Sequence, residues 1–152
     1  MVLDRQTEMS PEETDALLAR HETGVLSLAN RDEPYAIPIS YGYDATERRF
    51  FLRLVSTPES EKRAFLASLP STRLVVYDEN GDTYESVVAV GHLQQISDAD
   101  LTVEHVEQFG GTKRPLFEIW GEGKPDLDIE LYELDPDELS GRRVHVDRDG
   151  DA

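Results

Sequence analysis

Pro34 to Lys62 reads PYAIPISYGYDATERRFFLRLVSTPESEK, and its pattern is strand, turn, strand, then a loop that carries a lysine into a helix. Side chains alternate along a strand. Tyr35, Ile37, Ile39, Tyr41 and Tyr43 therefore share one face, and Pro34, Ala36, Pro38, Ser40 and Gly42 share the other. The second set is small or rigid throughout. A face without bulk lets a flat group come close to the backbone. The next strand, Arg49 to Leu54, brings Arg53, and the loop after it brings Lys62. A flat-contact surface beside two cations suits a planar ring that carries a phosphate. The same small face also arises where a helix packs over a strand, and spacing alone leans towards that plainer reading.

Upstream, Met1 to Met9 is expected as a flexible arm. Ser10-Pro11-Glu12-Glu13 is a helix start: serine caps, proline suits the first helical position, and Glu13 completes a capping box. Leu17, Leu18 and His21 form one face of that helix, and Gly24 fits the residue just past its end. Val25 to Ala29 is a short strand, and Asn30 to Glu33 turns the chain into the Pro34 strand. Pro38 donates no hydrogen bond, so it marks an edge, a bulge or a missing donor that faces a ligand.

Downstream, Ser56 to Ser60 opens a helix to about Leu69. Arg73 to Tyr77 reads as a buried strand, Asn80-Gly81 as a hairpin tip, and Thr83 to Ile96 as a long strand with a bulge or bend at Gly91. A helix from Ser97 or Asp98 to about Phe109, an irregular stretch from Gly110 to Pro125, and a strand from Leu127 to Leu134 follow. Arg142 to Val146 is a last short strand before a charged tail, residues 147–152. Short strands in hairpins with a few helices between them predict a small β-barrel, here one domain over residues 10–146.

The chain has 152 residues and no cysteine. Disulfides, thiolate metal sites and cysteine nucleophiles are excluded. No apolar run reaches the roughly 18 residues of a membrane span, and the N-terminus lacks a basic-then-apolar signal, so a cytoplasmic protein is expected. The formal charge is −17, from 32 acidic and 15 basic residues. Only Lys62, Lys113 and Lys124 are lysines. An acidic shell with arginine in place of lysine is the composition of proteins in a high-salt cytoplasm, where self-repulsion is screened. It disfavours nucleic acid, whose binding rests on phosphate neutralisation, and anionic membranes for the same reason.

Most chemical motifs fail. His21, His92, His105 and His145 are scattered, without metal-ligand spacing. Asp78-x-Asn80-x-Asp82 begins like a calcium loop but has Thr83 where glycine is needed and Ala89 where a glutamate is needed. Gly121-Glu122-Gly123 lacks the third glycine of a dinucleotide loop. No Gly-x-Ser-x-Gly elbow is present. No acid/base pair stands out, so no catalytic residue or metal ligand is assigned. What survives is a basic cluster. Arg48, Arg49, Arg53, Lys62 and Arg63 fall within 16 residues and hold a third of all the basic residues. Phosphate is bound by arginine forks, lysine charges and backbone amides at helix starts. The alternative is that these cations simply pair with the acidic shell.

The order helix, Gly-Val-Leu-Ser-Leu, Pro-Tyr-x-Ile-Pro-Ile-Ser-Tyr-x-Tyr-Asp, Arg-Phe-Phe-Leu, Ser-x-Lys helix, Thr-Arg-Leu-Val-Val-Tyr, Tyr-Glu-Ser-Val-Val-Ala-Val-Gly resembles the pyridoxamine 5′-phosphate oxidase-like FMN-binding split barrels. The resemblance runs from about Ser10 to Leu93, with an echo at Ile129 to Pro136 and Ser140 to Arg142. It implies a six-stranded split β-barrel with flanking helices, forming a homodimer with FMN in the cleft between subunits. It assigns Ile37, Pro38, Ile39 and Ser40 to the flavin ring, Arg53 and Lys62 to the phosphate, and Ser86 and Val87 to a further contact. Trp120 would cover the ring from the partner chain or, on the plainer reading, serve as a structural aromatic in the core. The true oxidase has an arginine in the Pro-rich strand where this chain has Ile37, and only Arg142-Arg143 stands in for its C-terminal cations. The resemblance therefore implies a flavin-dependent oxidoreductase of a small-molecule substrate other than vitamin B6. Relatives that bind a deazaflavin or haem, and a non-enzymatic flavin-binding dimer, are the alternatives.

Overall fold

The structure, a computed structural model, describes residues 2–56, 71–96 and 128–147. Chain order is β1 (Val2–Glu8), α1 (Pro11–Arg20), β2 (Thr23–Asn30), β3 (Glu33–Asp44), β4 (Arg49–Ser56), β5 (Ser71–Asn80), β6 (Thr83–Ile96), β7 (Asp128–Leu134) and β8 (Glu138–Asp147). The sheet order is β1-β8-β6-β5-β2-β3-β4-β7, and β7 pairs again with β6. That second pairing closes β6, β5, β2, β3, β4 and β7 into a six-stranded antiparallel ring. β8 and β1 extend the sheet outside it. The expected six-stranded split barrel is what forms.

β6 makes both ring and extension possible. It pairs with β5 from Thr83 to His92, with β8 from Thr83 to Val90, and with β7 from Leu93 to Ile96. The change of neighbour falls at Gly91. A Cβ there would meet the Asp135 carbonyl oxygen at 3.1 Å and Pro136 Cα at 3.3 Å, so glycine admits the turn that leads into β8. The expected bulge is a switch of partners.

Alternation builds the core. Leu26, Leu28, Ile39, Leu52, Leu54, Leu74, Val76, Val87 and Ala89 point into the barrel with almost no exposure. Burying each of the larger side chains stabilises by roughly 1.5–3 kcal/mol. α1 adds Leu17 and Leu18, both buried in the same cluster. Its start follows the local code: Ser10 Oγ accepts from Glu13 N at 3.2 Å and Glu13 Oε1 accepts from Ser10 N at 3.0 Å, with Pro11 in the first turn. Such a cap contributes about 1 kcal/mol. The Glu13 carboxyl is held below its usual range first by the Ser10 amide and next by Arg143.

Several boundaries differ from expectation, each for a non-local reason. Val2–Glu8 is not a free arm, because it pairs with β8 and covers an edge that would otherwise be exposed. α1 ends at Arg20 with His21 as its cap, so Gly24 lies inside β2, paired with Ile39. β8 starts at Glu138, four residues earlier than the local pattern implies, because Glu138–Gly141 pairs with Val87–Val90. The Asn80-Gly81 hairpin is present, with Gly81 at φ 63. The helices expected from Ser56 to Leu69 and from Ser97 to Phe109 lie outside the described residues, except that Ser56 ends β4.

Candidate functional site

The split of the barrel lies between β3 and β4. β3 pairs with β2 from Glu33 to Ser40 and with β4 from Tyr41 to Asp44. β4 pairs with β7 along its whole length, from Phe50↔Leu134 to Ser56↔Asp128. The two strands therefore part after Tyr41↔Leu52. Continued by one step, the register would set Ser40 against Arg53. Of the residues assigned from the sequence, this register brings Ser40 and Arg53 to the base of a fork.

The hydrogen-bond register explains the prolines. Tyr41 N donates to the Glu22 carbonyl at 2.9 Å. Backbone groups of an antiparallel strand face its two sides alternately. Tyr35, Ile37 and Ile39 therefore turn theirs towards β2, and Pro34, Ala36, Pro38 and Ser40 turn theirs away, towards the split. Proline costs no β2 bond at these positions. The side chains of Pro34, Ala36 and Pro38 are exposed, so the small face is open, and among the described residues no helix packs over it. Ser40, next to the fork, is buried.

The structure holds the fork's closed end together tightly. Phe50 is fully buried, edge-on to Tyr41 with centroids 5.6 Å apart and tilted against Tyr43 at 4.8 Å. Tyr41 Oη donates to the Leu18 carbonyl at 2.8 Å, and Tyr43 Oη donates to Asp15 Oδ1 at 2.7 Å. Both bonds tie β3 to α1. Burial pushes the Tyr41 hydroxyl far above the usual phenol range, with Glu22 and Tyr43 adding to it. Tyr43 is pushed up to about 12, first by burial and then by its bond to Asp15.

The sign for pH follows. A phenol with a folded pKa above its unfolded value of about 10 stabilises the fold while protonated. That contribution is complete below the unfolded value and is lost as pH rises from there through about 12. Thermal melts at increasing alkalinity should show the midpoint falling across this window. Tyr41→Phe should cost about 1 kcal/mol at neutral pH by losing the bond to Leu18 and should flatten the alkaline fall. An unchanged alkaline slope in Tyr41→Phe would remove Tyr41 from this account.

The basic cluster divides. Arg48 Nη2 bonds Asp15 at 3.2 Å and its Nε donates to Tyr43 Oη at 3.4 Å. Arg49 Nη1 pairs with the buried Glu133 at 2.9 Å. These two cations serve carboxylates of the fold, as the plainer reading held. Arg53 is half-buried on β4 at the fork and has a partner of its own. Lys62, Arg63 and Trp120 lie outside the described residues. Ile39 and Val87 are core side chains and can offer a ligand only backbone. Ser86 is half-buried on the outer face of β6, three strands from β3 and so about 14 Å away across the sheet. The proposed contacts thus form two patches, one at the fork and one on β6. Arg143 turns inward, where Glu85 takes it at 2.7 Å and Glu13 at 2.5 Å.

Sequence reading missed the outer face of the sheet. The rows Pro38↔Val25↔Val75↔Val88 and Ser27↔Arg73↔Val90↔Glu138 run across it. Among the described residues, the two large hydrophobics that stand most open, Val25 at 37% and Tyr77 at 64%, both lie here. The alternation Arg73, Val75, Tyr77 carried the signal, hidden within what reads as a buried run. A cavity of about 760 Å³ opens elsewhere, at the Asn30–Pro34 turn. Its Asp32 and Glu33 suit a solvated turn, and it lies at the opposite end of β3 from Ser40. Among the described residues no group of His, Asp and Glu could hold a metal ion, and no helix is long and apolar enough to cross a membrane.

A split barrel with these features defines a class, and comparison specifies the family. The model of the pyridoxamine 5′-phosphate oxidase family matches residues 10–143. The chain belongs to that family. A search of curated proteins returned no match. Among solved structures, a FAD-binding protein from Mesorhizobium loti is similar at TM-score 0.70 and 17% identity, over 93% of this chain and 98% of that one. A FAD binding protein from Mycobacterium smegmatis is similar at 0.63 and 16%, over 93% and 100%. A FAD and heme binding protein from the same organism is similar at 0.60 and 18%, over 97% and 78%. At these identities the likeness shows the fold.

Proposed function

We propose that the chain is a flavin-binding homodimer that holds FMN at the fork between β3 and β4 and acts as an oxidoreductase on a small-molecule substrate. The parting of the strands after Tyr41↔Leu52 carries this reading. It sets an open face of small side chains beside Arg53, which fits a flat ring with an anionic tail. FMN would supply the electron transfer, and the protein would bind and orient it. In this reading the backbone of Ile37–Ser40 approaches the ring, Arg53 and Lys62 hold the phosphate, and Ser86 and Val87 form a second patch. Ile37 stands where the true oxidase has an arginine that grips the FMN phosphate, and Arg143, a stand-in for the oxidase's C-terminal substrate cations, is taken by Glu85 and Glu13; together these argue for a substrate other than vitamin B6. A haem-binding reading has less support, because His92 and His145 are exposed and lie on β6 and β8, away from the fork.

Arg53→Ala and Lys62→Ala should each weaken FMN binding by roughly 1–3 kcal/mol, as expected for a direct charged contact. Fluorescence titration of free FMN measures this. Unchanged affinity in both variants would sink the site assignment and leave the barrel standing.

A further inference from the structure

We infer that Pro34 and Pro38 turn the strand edge at the fork into a surface for N–H donors, so that it holds reduced FMN more tightly than oxidised FMN and raises the potential of the bound flavin. The inference rests on the reading of the fork as a flavin site. Ile37 and Ile39 direct their backbone groups to Leu26 and Gly24 of β2, in step with the bond from Tyr41 N to the Glu22 carbonyl. Pro34, Ala36 and Pro38 direct theirs into the split, where among the described residues no strand pairs with them. An ordinary strand residue presents an N–H beside each carbonyl. Here the carbonyls of Pro34, Ala36 and Pro38 all remain, while Ala36 alone has an N–H, because proline has none. No side chain of these residues adds a donor. Ser40, at the base of the fork, already has a partner. The edge therefore accepts hydrogen bonds far more readily than it gives them.

The polar rim of an oxidised flavin ring consists of acceptors, at N1, N5 and two carbonyl oxygens, with a single N–H at N3. Reduction by two electrons, with a proton taken up from water at N5, turns that acceptor into a donor. Beside an edge of carbonyls the oxidised N5 meets a second acceptor, whereas the reduced N5–H meets a partner. Exchanging a mismatch for a hydrogen bond is worth on the order of tenfold in affinity. By linkage, tighter binding of the reduced form makes the bound flavin easier to reduce. A flavin tuned in this way takes electrons from weaker reductants, which biases the site towards oxidising its substrate. Prolines also blunt an open sheet edge against other strands, but that role alone leaves the potential where it is.

Spectroelectrochemical titration of the FMN-loaded full chain, beside free FMN in the same buffer, tests this. Reduced FMN should bind at least about tenfold more tightly than oxidised FMN, which sets the bound couple about 30 mV or more above free FMN. Anaerobic titrations with each form give the two dissociation constants independently. Pro38→Ala restores an N–H to the edge and keeps the side chain small. It should lower the bound potential by about 30 mV, the equivalent of about tenfold. Ala36→Pro removes the edge's N–H at a position in register with both prolines and should raise the potential. Arg53 and Lys62 are intact in both variants, so an attraction of these cations for a more negative reduced ring predicts no shift in either. Bound FMN with the potential of free FMN overturns the inference and leaves the flavin site standing. So does a potential that stays put in Pro38→Ala, or a shift of the same sign in both variants. Should Ala36→Pro fail to fold, the parent and Pro38→Ala decide. A folded chain that retains neither form of FMN overturns the inference together with the flavin reading.

Discussion

Phe50→Ala is expected to lower the unfolding free energy by about 3–5 kcal/mol, at the upper end for a core truncation. Phe50 is fully buried and, among the described residues, is the largest side chain that is. It sits on the row Tyr43↔Phe50↔Leu134, where β3, β4 and β7 are still joined. Tyr41 and Tyr43 pack their rings on it, and both are tied by their hydroxyls to α1. Little around it can collapse into the space, because each neighbour is held by a backbone ladder. Urea unfolding followed by circular dichroism measures the loss. A cost below about 1 kcal/mol would be that of a surface site, and would contradict the packing described. Since this ring closes the base of the fork, the variant should also bind FMN less tightly while still folded.

Pro38→Trp should act in the opposite way, on binding and not on the fold. Pro38 is exposed, and its backbone nitrogen faces the split and not β2. A larger side chain there meets no core, so stability should stay within about 0.5 kcal/mol of the parent. It would, however, fill the flat space over β3. FMN affinity should fall at least about a hundredfold, or roughly 2.7 kcal/mol. Full binding by a folded Pro38→Trp would show that the ring lies elsewhere, whatever becomes of Arg53.

The parts of this molecule visible in its sequence are those determined by neighbours along the chain. The cap at Ser10-Pro11-Glu13, the limits of β6 and the two unlike faces of β3 depend on local propensity and alternation, and each is present. The residues misjudged depend on distant partners. Met1 to Met9 carries no strong pattern, and β1 forms because β8 offers an edge. Arg48 and Arg49 look like members of a phosphate cluster until Asp15 on α1 and Glu133 on β7 are brought to them. The cluster counted charge by proximity in sequence, whereas ion pairs are settled by proximity in space. Pro38 was ambiguous for a related reason. Only the register set by Tyr41 and Glu22 shows which way its nitrogen faces. The outer face escaped notice because Val25, Val75 and Val88 look like core residues one strand at a time, and become a surface row only when the sheet is assembled.

The central claim is that the fork between β3 and β4 holds a flavin. The most direct measurement is the visible absorption spectrum of the full chain purified at high salt, before and after added FMN and then a reductant. The expected result is two flavin bands, present on purification or retained through gel filtration after loading, that bleach on reduction. A folded protein that is colourless and fails to retain added FMN would contradict the claim, and would leave the split barrel as a scaffold for some other ligand.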